Sequence, residues 1–521
     1  MKKAKKNGAK IITINPLPET GLIRFKDPQS VSDVMGEGVP LTDVFLQVKL
    51  NGDVPLMKGI LKCLLNRDAT KPGSVFDHEF IREKTEGYNA LIEDLESADL
   101  RELSKSSGIS IKQMEEAADL LAASKKIIAC WAMGLTQHEN GVANIQEVVN
   151  LLLLKGSIGK PGAGTCPVRG HSNVQGDRTM GIWEKPQPAF LDSLQSNFDF
   201  GPPRKHGLDV VESIKRMHEK PGMVFFAMGG NFLSATPDTK YTAQALRNCK
   251  LTVHVSTKLN RSHLVTGDRA IILPSLGRSD EDIQNGVKQF VSVENSMGIV
   301  HSSQGRLKPL SSQLKSEPAI VAGLAMATLE RNPKVDWQKM ATDYDHIRDA
   351  IEATIPGFSD YNKRVREPTG FYLPNGARHA DFSSLGGKAK FSVNPVPKHN
   401  LKDGELHMTT VRTHDQFNTT IYGLNDRYRG IFNERRVILM NRIDMQERKL
   451  NKGDVVNLHN THGGMERCAP RFLVVPYNVP QGCTVTYFPE TNVLVPIDSV
   501  AKKSNTPTSK LVVISVEKVA L

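Results

Sequence analysis

The sequence has few cysteines, and no two of them form a C-x-x-C pair. The six cysteines lie at positions 63, 130, 166, 249, 468 and 483. Structural zinc sites and cysteine-ligated iron–sulfur clusters both use closely spaced ligands, so this pattern favours neither. A disulfide framework is equally unexpected in a chain of 521 residues.

The sequence also lacks a long apolar run. The longest, residues 148–154, contains Asn150 and falls far short of the ~20 residues that cross a bilayer. The basic N-terminus has no small-residue cleavage site of the kind that ends a signal peptide. We therefore expect no membrane span and a cytoplasmic location.

A stripe of basic residues interleaved with aromatic ones is missing as well. The formal net charge is +11, but apart from Lys2 to Lys10 the basic residues are spread along the chain. This distribution disfavours a nucleic-acid partner and favours a basic surface or a pocket for a polyanionic ligand. The length and the 39% hydrophobic content allow an ample core and about three domains.

The first three quarters of the sequence alternate between strand and helix patterns. Strands are predicted at 9–16, 125–134, 222–228, 251–256 and 269–275, and helices at 112–123 and 142–156. A polar loop is predicted at 135–141, and Thr236 with Pro237 is expected to begin the helix that follows 222–228. The alternation predicts an α/β fold with a parallel sheet and helices on both faces, whose ligands bind at the carboxyl ends of the strands.

A linker at 394–405, rich in proline and glycine, separates this region from a β-rich one. Five strand-like runs follow, at 436–441, 454–460, 470–476, 483–489 and 510–518, and they predict a β-barrel. The expected organisation is the remainder of an α/β domain at 1–110, an α/β region at 111–393 and a β-barrel domain at 405–521.

The segment CPVRGHSNVQGDRTMG, residues 166–181, is dense in side-chain hydrogen-bond donors. It has no aliphatic pattern, so neither a helix nor a strand is expected there. Each of the other candidate features is weak evidence for a function when it is considered alone. The Gly229-Gly230 pair after a strand is only part of a dinucleotide fingerprint, and His138, His171 and His414 could each be an ordinary hydrogen-bonded loop histidine.

Three motifs in order carry more information. They are G-x-T-Q-x-x-x-G at 134–141, GxxGKPGAG at 156–164 and PVRGxxNVQG at 167–176. With these motifs the sequence resembles the molybdopterin-dependent oxidoreductases of the dimethyl-sulfoxide-reductase superfamily, and within them the formate dehydrogenase alpha-subunit-like proteins. The resemblance continues through 272–282, 302–309 and 409–423.

The resemblance implies a molybdenum- or tungsten-bis(molybdopterin guanine dinucleotide) cofactor, Rossmann-like α/β domains and a double-psi-like C-terminal barrel. It implies that Arg169 orients a small-molecule substrate, and His171 beside it is a second catalytic candidate because its ring can donate a hydrogen bond or exchange a proton. Its candidate cofactor-binding residues are polar or glycine residues of the motifs and of the loops after strands: Gly134, Thr136, Gln137, His138, Gly141, Asn173, Gln175, Gly176, Gly229, Gly230, Asn231, Ser256, Thr257, Pro274, Ser275, Thr410, Arg412, Thr413, His414, Asn418, Thr419, Asn492 and Lys510.

Two departures from the family pattern matter. Relatives usually begin with a domain that carries a 4Fe-4S cluster, and an earlier domain supplies a protein ligand to the metal, whereas this chain begins at what resembles an internal strand. We therefore expect an N-terminally truncated chain without its own cluster and without an identified metal ligand, served by an unknown electron-transfer partner or by the missing portion. Formate dehydrogenases carry Arg-Gly-Gln where this chain has Arg169-Gly170-His171, so the resemblance by itself does not establish formate as the substrate.

Three hypotheses remain open at this point. The chain could be the catalytic portion of a molybdenum oxidoreductase, or a cofactor-binding or interaction remnant without turnover. The third hypothesis, an NAD-dependent Rossmann enzyme, is disfavoured by the incomplete glycine fingerprint.

Overall fold

Two stretches of chain that are far apart in the sequence fold together. The computed structural model describes residues 1–398 and 401–520, so two residues of the predicted linker, His399 and Asn400, lie outside the described residues. Unit 1 combines 1–165 with the chain from 376 onward, and unit 2 is formed by 166–375. These compact units group the chain differently from the predicted division at 110, 393 and 405, which stays a prediction about sequence domains.

The helices of unit 1 pack around a core that includes Leu56, Ile60, Leu91 and Met114. Their ends follow local capping chemistry: Ser110 and Gln113 form a capping box that starts one helix, and Gly108 ends another in the left-handed conformation. The helices are Lys2–Lys6, Thr20–Ile23, Val31–Met35, Asp53–Thr70, His78–Lys84, Tyr88–Ser97, Leu100–Ser107, Ile111–Ala123, Met133–Thr136, Gly141–Leu154 and Arg442–Glu447, with 3-10 turns at Gly376–His379, Ser383–Leu385, His462–Gly464 and Asn492–Leu494.

The α/β part of unit 1 holds short pairs of strands. Ile12–Ile14 pairs in parallel with Val44–Leu46, and Ile128–Trp131 pairs with the strand that begins at Gly164. The strands of the α/β part are Ile12–Ile14, Arg24–Phe25, Val39–Pro40, Val44–Leu46, Thr85–Glu86, Ile128–Trp131, Gly164–Pro167 and Ala389–Lys390.

The C-terminal part of unit 1 is a closed six-stranded barrel, which confirms the predicted β-barrel. In order around the barrel the strands are Leu406–Val411, Cys483–Tyr487, Val437–Met440, Arg467–Pro476, Val455–Asn460 and Val512–Lys518, and the hairpin Gln416–Phe417 with Thr420–Ile421 accompanies them. The five predicted runs all form barrel strands. Sequence reasoning missed the sixth, Leu406–Val411, because its polar residues His407, Thr409 and Thr410 are buried rather than exposed.

Unit 2 contains a three-stranded parallel sheet, as the α/β pattern predicts. Val224–Met228 and Arg269–Pro274 flank the central strand Leu251–Ser256. Its other strands are Ile283–Gln284, Val287–Lys288, Val291–Glu294, Ile299–Ser303 and Phe371–Tyr372. Its helices are Val174–Thr179, Pro188–Phe198, Val210–Glu219, Phe232–Ala235, Thr239–Arg247, Glu317–Thr328, Trp337–Thr342, Asp345–Thr354 and Tyr361–Arg364, with a 3-10 turn at Arg261–Leu264.

Two local predictions are wrong. The predicted helix start at Thr236 and Pro237 fails because the Thr236 hydroxyl donates to the carbonyl of Phe232 and ends the preceding short helix; the next helix begins at Thr239, after Asp238. Residues 133–136 form a helical turn where a loop was expected to begin. In the described residues no helix is long and apolar enough to cross a bilayer.

A buried ion network joins the first strand segment of unit 1 to its barrel. Arg429 donates to Glu19 at 2.6 Å and to Asp426 at 2.7 Å. The Asp426 side chain is fully buried and also accepts hydrogen bonds from Tyr487 and His414, both at 2.8 Å. Burial alone would raise the pKa of Asp426, but Arg429 and these hydrogen bonds outweigh it and hold the pKa below its ordinary value.

We predict that Arg429→Ala strongly destabilises unit 1. Removing the guanidinium leaves Asp426 buried and uncompensated, a change that costs about 3–5 kcal/mol. Arg427→Ala is the matched control, because the Arg427 side chain is 68% exposed and lies 4.0 Å from its acidic partner Asp415; its effect should stay within about 0.5 kcal/mol. Urea unfolding followed by circular dichroism measures both variants, and equal stability of the two would contradict the assigned role.

Candidate functional site

Unit 2 gathers predicted residues at the carboxyl edge of its parallel sheet. Gly229 to Asn231 follow one strand, Ser256 and Thr257 the next, and Pro274 and Ser275 the third, with Pro274 in register with Ser256. Parallel strands bring such loops to one edge. The sequence therefore located this cluster correctly in space, while its role stays a prediction.

Side-chain hydrogen bonds hold the loops at this edge. The Asn260 amide donates to the carbonyl of Gly230 at 2.9 Å, and the Ser262 hydroxyl donates to Asn231 at 3.1 Å. Gly230 has a φ of +76°, and a Cβ added there would meet no protein atom within 4 Å, so open space lies beside this backbone. Ser275 is 5% exposed, and its hydroxyl makes no hydrogen bond in the part of the chain that the structure describes.

A cavity of about 690 Å³ in unit 2 lies beside these loops. Its lining includes Asn173, Thr257, Gly277, Arg278 and Asp280. The Asp280 carboxylate accepts a hydrogen bond from the Gly277 backbone at 2.7 Å and so fixes the turn after the third strand. The cavity is large enough for an extended small-molecule ligand.

The segment 166–181 contains a helix, Val174–Thr179, so the expectation of a loop without helix or strand is wrong. This helix is short and polar, so its sequence shows no apolar periodicity by which a helix could be recognised. Asn173 precedes the helix with a φ of +69°, and its side chain accepts a hydrogen bond from the Glu294 backbone at 3.0 Å. A Cβ on Gly176 would stand 2.0 Å from the Asn173 side-chain oxygen, so a larger residue there would displace that side chain from its hydrogen bond with Glu294.

Arg169 is held by the same segment. Its guanidinium donates to the Gln175 side-chain oxygen at 2.6 Å, and its backbone N–H donates to the Ser296 hydroxyl at 3.4 Å. The side chains of Arg169 and His171 are both exposed on unit 2. The structure thus brings together Arg169, Asn173, Gln175 and Gly176 and leaves the remaining N–H groups of Arg169 available to a ligand.

The loop 134–141 of unit 1 is a tight turn fastened to the barrel. The carbonyl of Gln137 accepts a hydrogen bond from the Lys510 backbone at 3.1 Å, and His138 bonds the carbonyl of Gly134 at 2.6 Å. A Cβ on Gly141 would stand 2.5 Å from the carbonyl oxygen of Thr136, which explains the glycine. The Lys510 ammonium in turn donates to the carbonyl of Thr410.

The hairpin after the first barrel strand holds the next group of predicted residues. Arg412 donates to the Asn418 side chain at 3.3 Å and lies over the Phe488 ring. Thr413 accepts a hydrogen bond from Arg435 at 3.1 Å, and His414 bonds Asp426 at 2.8 Å.

The region around Lys510 and Arg412 has more positively than negatively charged side chains. Burial, followed by the neighbouring charges of Arg412 and Arg429, lowers the pKa of Lys510 to about 8. Burial also lowers the pKa of Arg412. The two carboxylates nearby, Glu19 and Asp426, are already bound to Arg429. Lys510 and Arg412 thus lie together without an acidic partner of their own among the described residues.

These groups fit an anionic, hydrogen-bonding cofactor. The Nε of Arg412 and the Nδ1 of His138 are buried and make no hydrogen bond among the described residues. Burial lowers the pKa of His138 to about 4, so the ring is neutral at pH 7 and has one nitrogen left for a ligand. A group with negative charge and polar edges would satisfy both kinds of atom.

Two further predicted residues, Thr419 and Asn492, lie beside or in short elements of the barrel region. Asn492 is 2% exposed in a 3-10 turn after a barrel strand, and Thr419 simply precedes a short strand. Sequence reasoning missed Glu19, Asp426 and Arg429. The i, i+3 spacing of Asp426 and Arg429 was the one local signal that could have found that pair.

The described residues contain no group of three side chains that could together hold a metal ion. Within residues 1–398 and 401–520, no three His, Cys, Asp or Glu side chains are grouped as metal ligands would be. The described cysteines form no disulfide.

Two family models match the sequence. Residues 73–276 match the molybdopterin oxidoreductase model, and residues 406–513 match the molydopterin dinucleotide binding domain model. The second match covers the closed barrel apart from most of its last strand, Val512–Lys518.

Curated relatives match nearly the whole chain. An uncharacterized oxidoreductase of Mycobacterium tuberculosis is 52% identical over 99% of this chain and 67% of its own length. Protein YdeP of Escherichia coli K12 is 43% identical over 98% of this chain and 69% of its own length. The alpha subunit of a formate dehydrogenase from Methanococcus maripaludis is 27% identical, but over only 54% of this chain and 38% of its own length.

A solved structure shares the fold. Acetylene hydratase from Pelobacter acetylenicus superposes with a TM-score of 0.62 at 16% identity, over 99% of this chain and 75% of that chain. At this identity the likeness concerns the fold alone. From the two family models and the relatives that it matches over two thirds of their length, we conclude that the chain belongs to the molybdopterin oxidoreductase family of the dimethyl-sulfoxide-reductase superfamily.

Proposed function

We propose that the protein is a formate-dehydrogenase-like oxidoreductase that carries out a two-electron oxidation or reduction of a small substrate at a bis(molybdopterin guanine dinucleotide) centre of molybdenum or tungsten. The observation that carries the proposal is the pair Lys510 and Arg412, which has no acidic partner of its own among the described residues, together with the neighbouring His138, whose Nδ1 makes no hydrogen bond there. Pyrophosphate oxygens would balance this charge, and pterin or guanine edges would pair with the neutral imidazole.

The cofactor would supply the redox chemistry, and the protein would bind it and orient the substrate. Lys510, Arg412 and the loop 134–141 would bind one part of the cofactor. The carboxyl edge of the sheet in unit 2, with Gly230, Thr257 and Ser275, would bind another through backbone N–H groups and hydroxyls.

Arg169 would orient the substrate. Its guanidinium keeps its charge at every working pH and presents a planar fork suited to a carboxylate or a similar oxyanion. Gln175 fixes that fork through the 2.6 Å hydrogen bond. His171 would exchange a proton or donate a hydrogen bond, which the glutamine of formate dehydrogenases could do only in part.

We predict that protein made in a host able to supply the cofactor retains pterin at pH 7 and loses it as the pH rises above about 8. The anion favours protonated Lys510, whose pKa in the cofactor-free protein is about 8, so affinity falls when the lysine is neutral. Lys510→Arg should remove this pH dependence, because arginine keeps its charge. Fluorescence of the oxidised pterin released by acid measures retention; folded protein without pterin at pH 7 would contradict the cofactor assignment.

We predict that Arg169→Ala lowers turnover by about 2–4 kcal/mol of transition-state stabilisation, in line with the loss of a positioned charged donor. Pterin content should stay near that of the parent protein. Arg178→Ala is the matched control, since Arg178 lies in the same segment with its side chain 59% exposed. A dye-linked assay on small carboxylates and aldehydes, in a form that turns over, measures both variants.

His171→Gln should shift substrate preference or the pH profile while pterin content is unchanged. A loss of pterin in Arg169→Ala, or full turnover with full cofactor, would show that Arg169 does not orient the substrate. Retained pterin with no turnover under any condition would favour a cofactor-binding protein without catalysis.

We also predict that the isolated chain holds no iron–sulfur cluster, because its cysteines lack the close local spacing that clusters use. Stoichiometric iron and acid-labile sulfide in pure protein would contradict this. The electron-transfer partner and the cytoplasmic location stay predictions.

A further inference from the structure

Glu294 of unit 2 is a buried carboxyl group beside the segment that carries Arg169. The residue is 6% exposed and ends the strand Val291–Glu294, which pairs antiparallel with Ile299–Ser303. Glutamate is almost never buried this far unless its carboxyl group is bound by other groups. The contacts of Glu294 therefore decide its charge and what that charge does to its surroundings.

Glu294 binds both ends of the short helix that carries Gln175. Its backbone N–H donates to the Asn173 side-chain oxygen at 3.0 Å, at the start of the helix. Its side-chain Oε2 accepts a hydrogen bond from the Thr179 hydroxyl at 2.5 Å, at the end of the helix. Gln175 lies between these ends and holds the Arg169 guanidinium at 2.6 Å. One residue thus fixes the helix that orients Arg169.

The charge of Glu294 is coupled to the charge of Arg169. Burial raises the pKa of Glu294 above its ordinary value, and the Thr179 hydrogen bond and the positive charge of Arg169 offset this only in part. Among the described residues, Arg169 is the one charged side chain whose charge shifts this pKa. A change of charge at either side chain is therefore felt at the other.

Other ionisable groups on the elements around Glu294 do not replace Arg169 in this role. Burial above all raises the pKa of the neighbouring Tyr361, so its hydroxyl is neutral at any working pH. On the helix, Asp177 accepts from Asn173 at 3.4 Å, and Arg178 lies 3.6 Å from a different carboxylate. His301 of the paired strand is one position beyond the residue opposite Glu294, so its side chain points to the other face of the sheet.

An oxyanion bound by Arg169 would bring a second negative charge near the Glu294 carboxylate. Like charges disfavour each other, so the bound anion favours the protonated form of Glu294. Binding free energies are reciprocal, so a proton on Glu294 must strengthen anion binding by the same factor. The anion and a proton taken from solvent therefore bind together.

We propose that Glu294 is a positioning residue of the substrate site, which holds the helix that orients Arg169 and whose proton strengthens the binding of an oxyanion by Arg169. The proposal rests on the substrate-orienting role of Arg169 in the proposed function. It requires that affinity for a carboxylate falls as the pH rises and that a proton is taken up when the carboxylate binds.

Sodium formate, the smallest carboxylate, is the probe, and isothermal titration calorimetry on the full chain measures its dissociation constant. Between about pH 5 and about pH 8 we expect the dissociation constant of the parent protein to rise at least roughly fivefold. Glu294→Gln should keep the low-pH affinity throughout, because its amide is uncharged and its oxygen can still accept from Thr179. Titrations in two buffers of different ionisation enthalpy should show proton uptake by the parent and none by the variant.

A second variant predicts a shift of the pH dependence in a set direction. Thr179→Val removes the hydroxyl that stabilises the charged form of Glu294 and keeps the size of the side chain. The pKa of Glu294 should rise, so the pH midpoint of formate binding should move upward while the change in affinity persists. A residue with a merely structural role would not shift this midpoint.

Two controls isolate the contribution of Glu294. Histidine can change its charge in the same pH range, so Glu294→Gln is also measured in a His171→Gln background, where its effect should persist. Glu367→Gln is the matched control, because Glu367 is exposed on unit 2 and its substitution should leave the pH profile of the parent unchanged.

The outcomes separate this inference from the proposed function. Unchanged pH dependence and proton uptake in Glu294→Gln, with formate binding that Arg169→Ala abolishes, would overturn the inference and leave the role of Arg169 standing. Formate binding that Arg169→Ala does not weaken, or no binding to the parent at any pH, would contradict both. Thermal unfolding checks that Glu294→Gln is folded; if it is not, the midpoint of Thr179→Val decides.

Discussion

The buried guanidinium of Arg429 is the interaction on which unit 1 depends. It lies between Glu19, which follows the first strand, and Asp426 of the barrel region, with its side chain 5% exposed. A buried ion pair adds little net stability over apolar packing, but losing one partner is costly. The network therefore fixes which loop of the α/β part meets which end of the barrel.

The same network shapes the charge around Lys510 and Arg412. Because Arg429 binds both nearby carboxylates, Lys510 and Arg412 have no acidic partner of their own among the described residues, while burial keeps the neighbouring His138 neutral. Burial lowers the pKa of Lys510, and the charges of Arg412 and Arg429 lower it further.

Sequence patterns predicted most of the fold because the patterns arise from local burial. The helix at 111–123 has its capping box in the sequence, and five barrel strands are β-branched runs whose side chains alternate or are wholly buried. The sixth strand, Leu406–Val411, was hidden because its threonines are buried by long-range pairing. The helix at 174–179 was hidden because a hydrogen bond from the Glu294 backbone to Asn173 stabilises its start, and no local pattern reports that contact.

The candidate site was predictable where residues follow strands in order, as at Gly229, Ser256 and Pro274. It was not predictable where partners are distant in sequence. Glu19 and Arg429 are separated by 410 positions, and Gln137 meets Lys510 only because the barrel folds back onto the first segment.

Unit 1 is built from two segments, residues 1–165 and the chain from 376 onward, and this affects its synthesis on the ribosome. The helix Gly141–Leu154 is completed by the returning chain, where Asn150 exchanges hydrogen bonds with the backbone of Ser392 and Asn394 donates to the buried Glu147 at 2.9 Å. More than two hundred residues must be translated between these partners, and at 5–20 residues per second that takes about 10 to 50 seconds. During that interval the nascent chain exposes an unfinished apolar surface, so we expect it to need a holding chaperone for longer than a chain of equal length whose contacts are local.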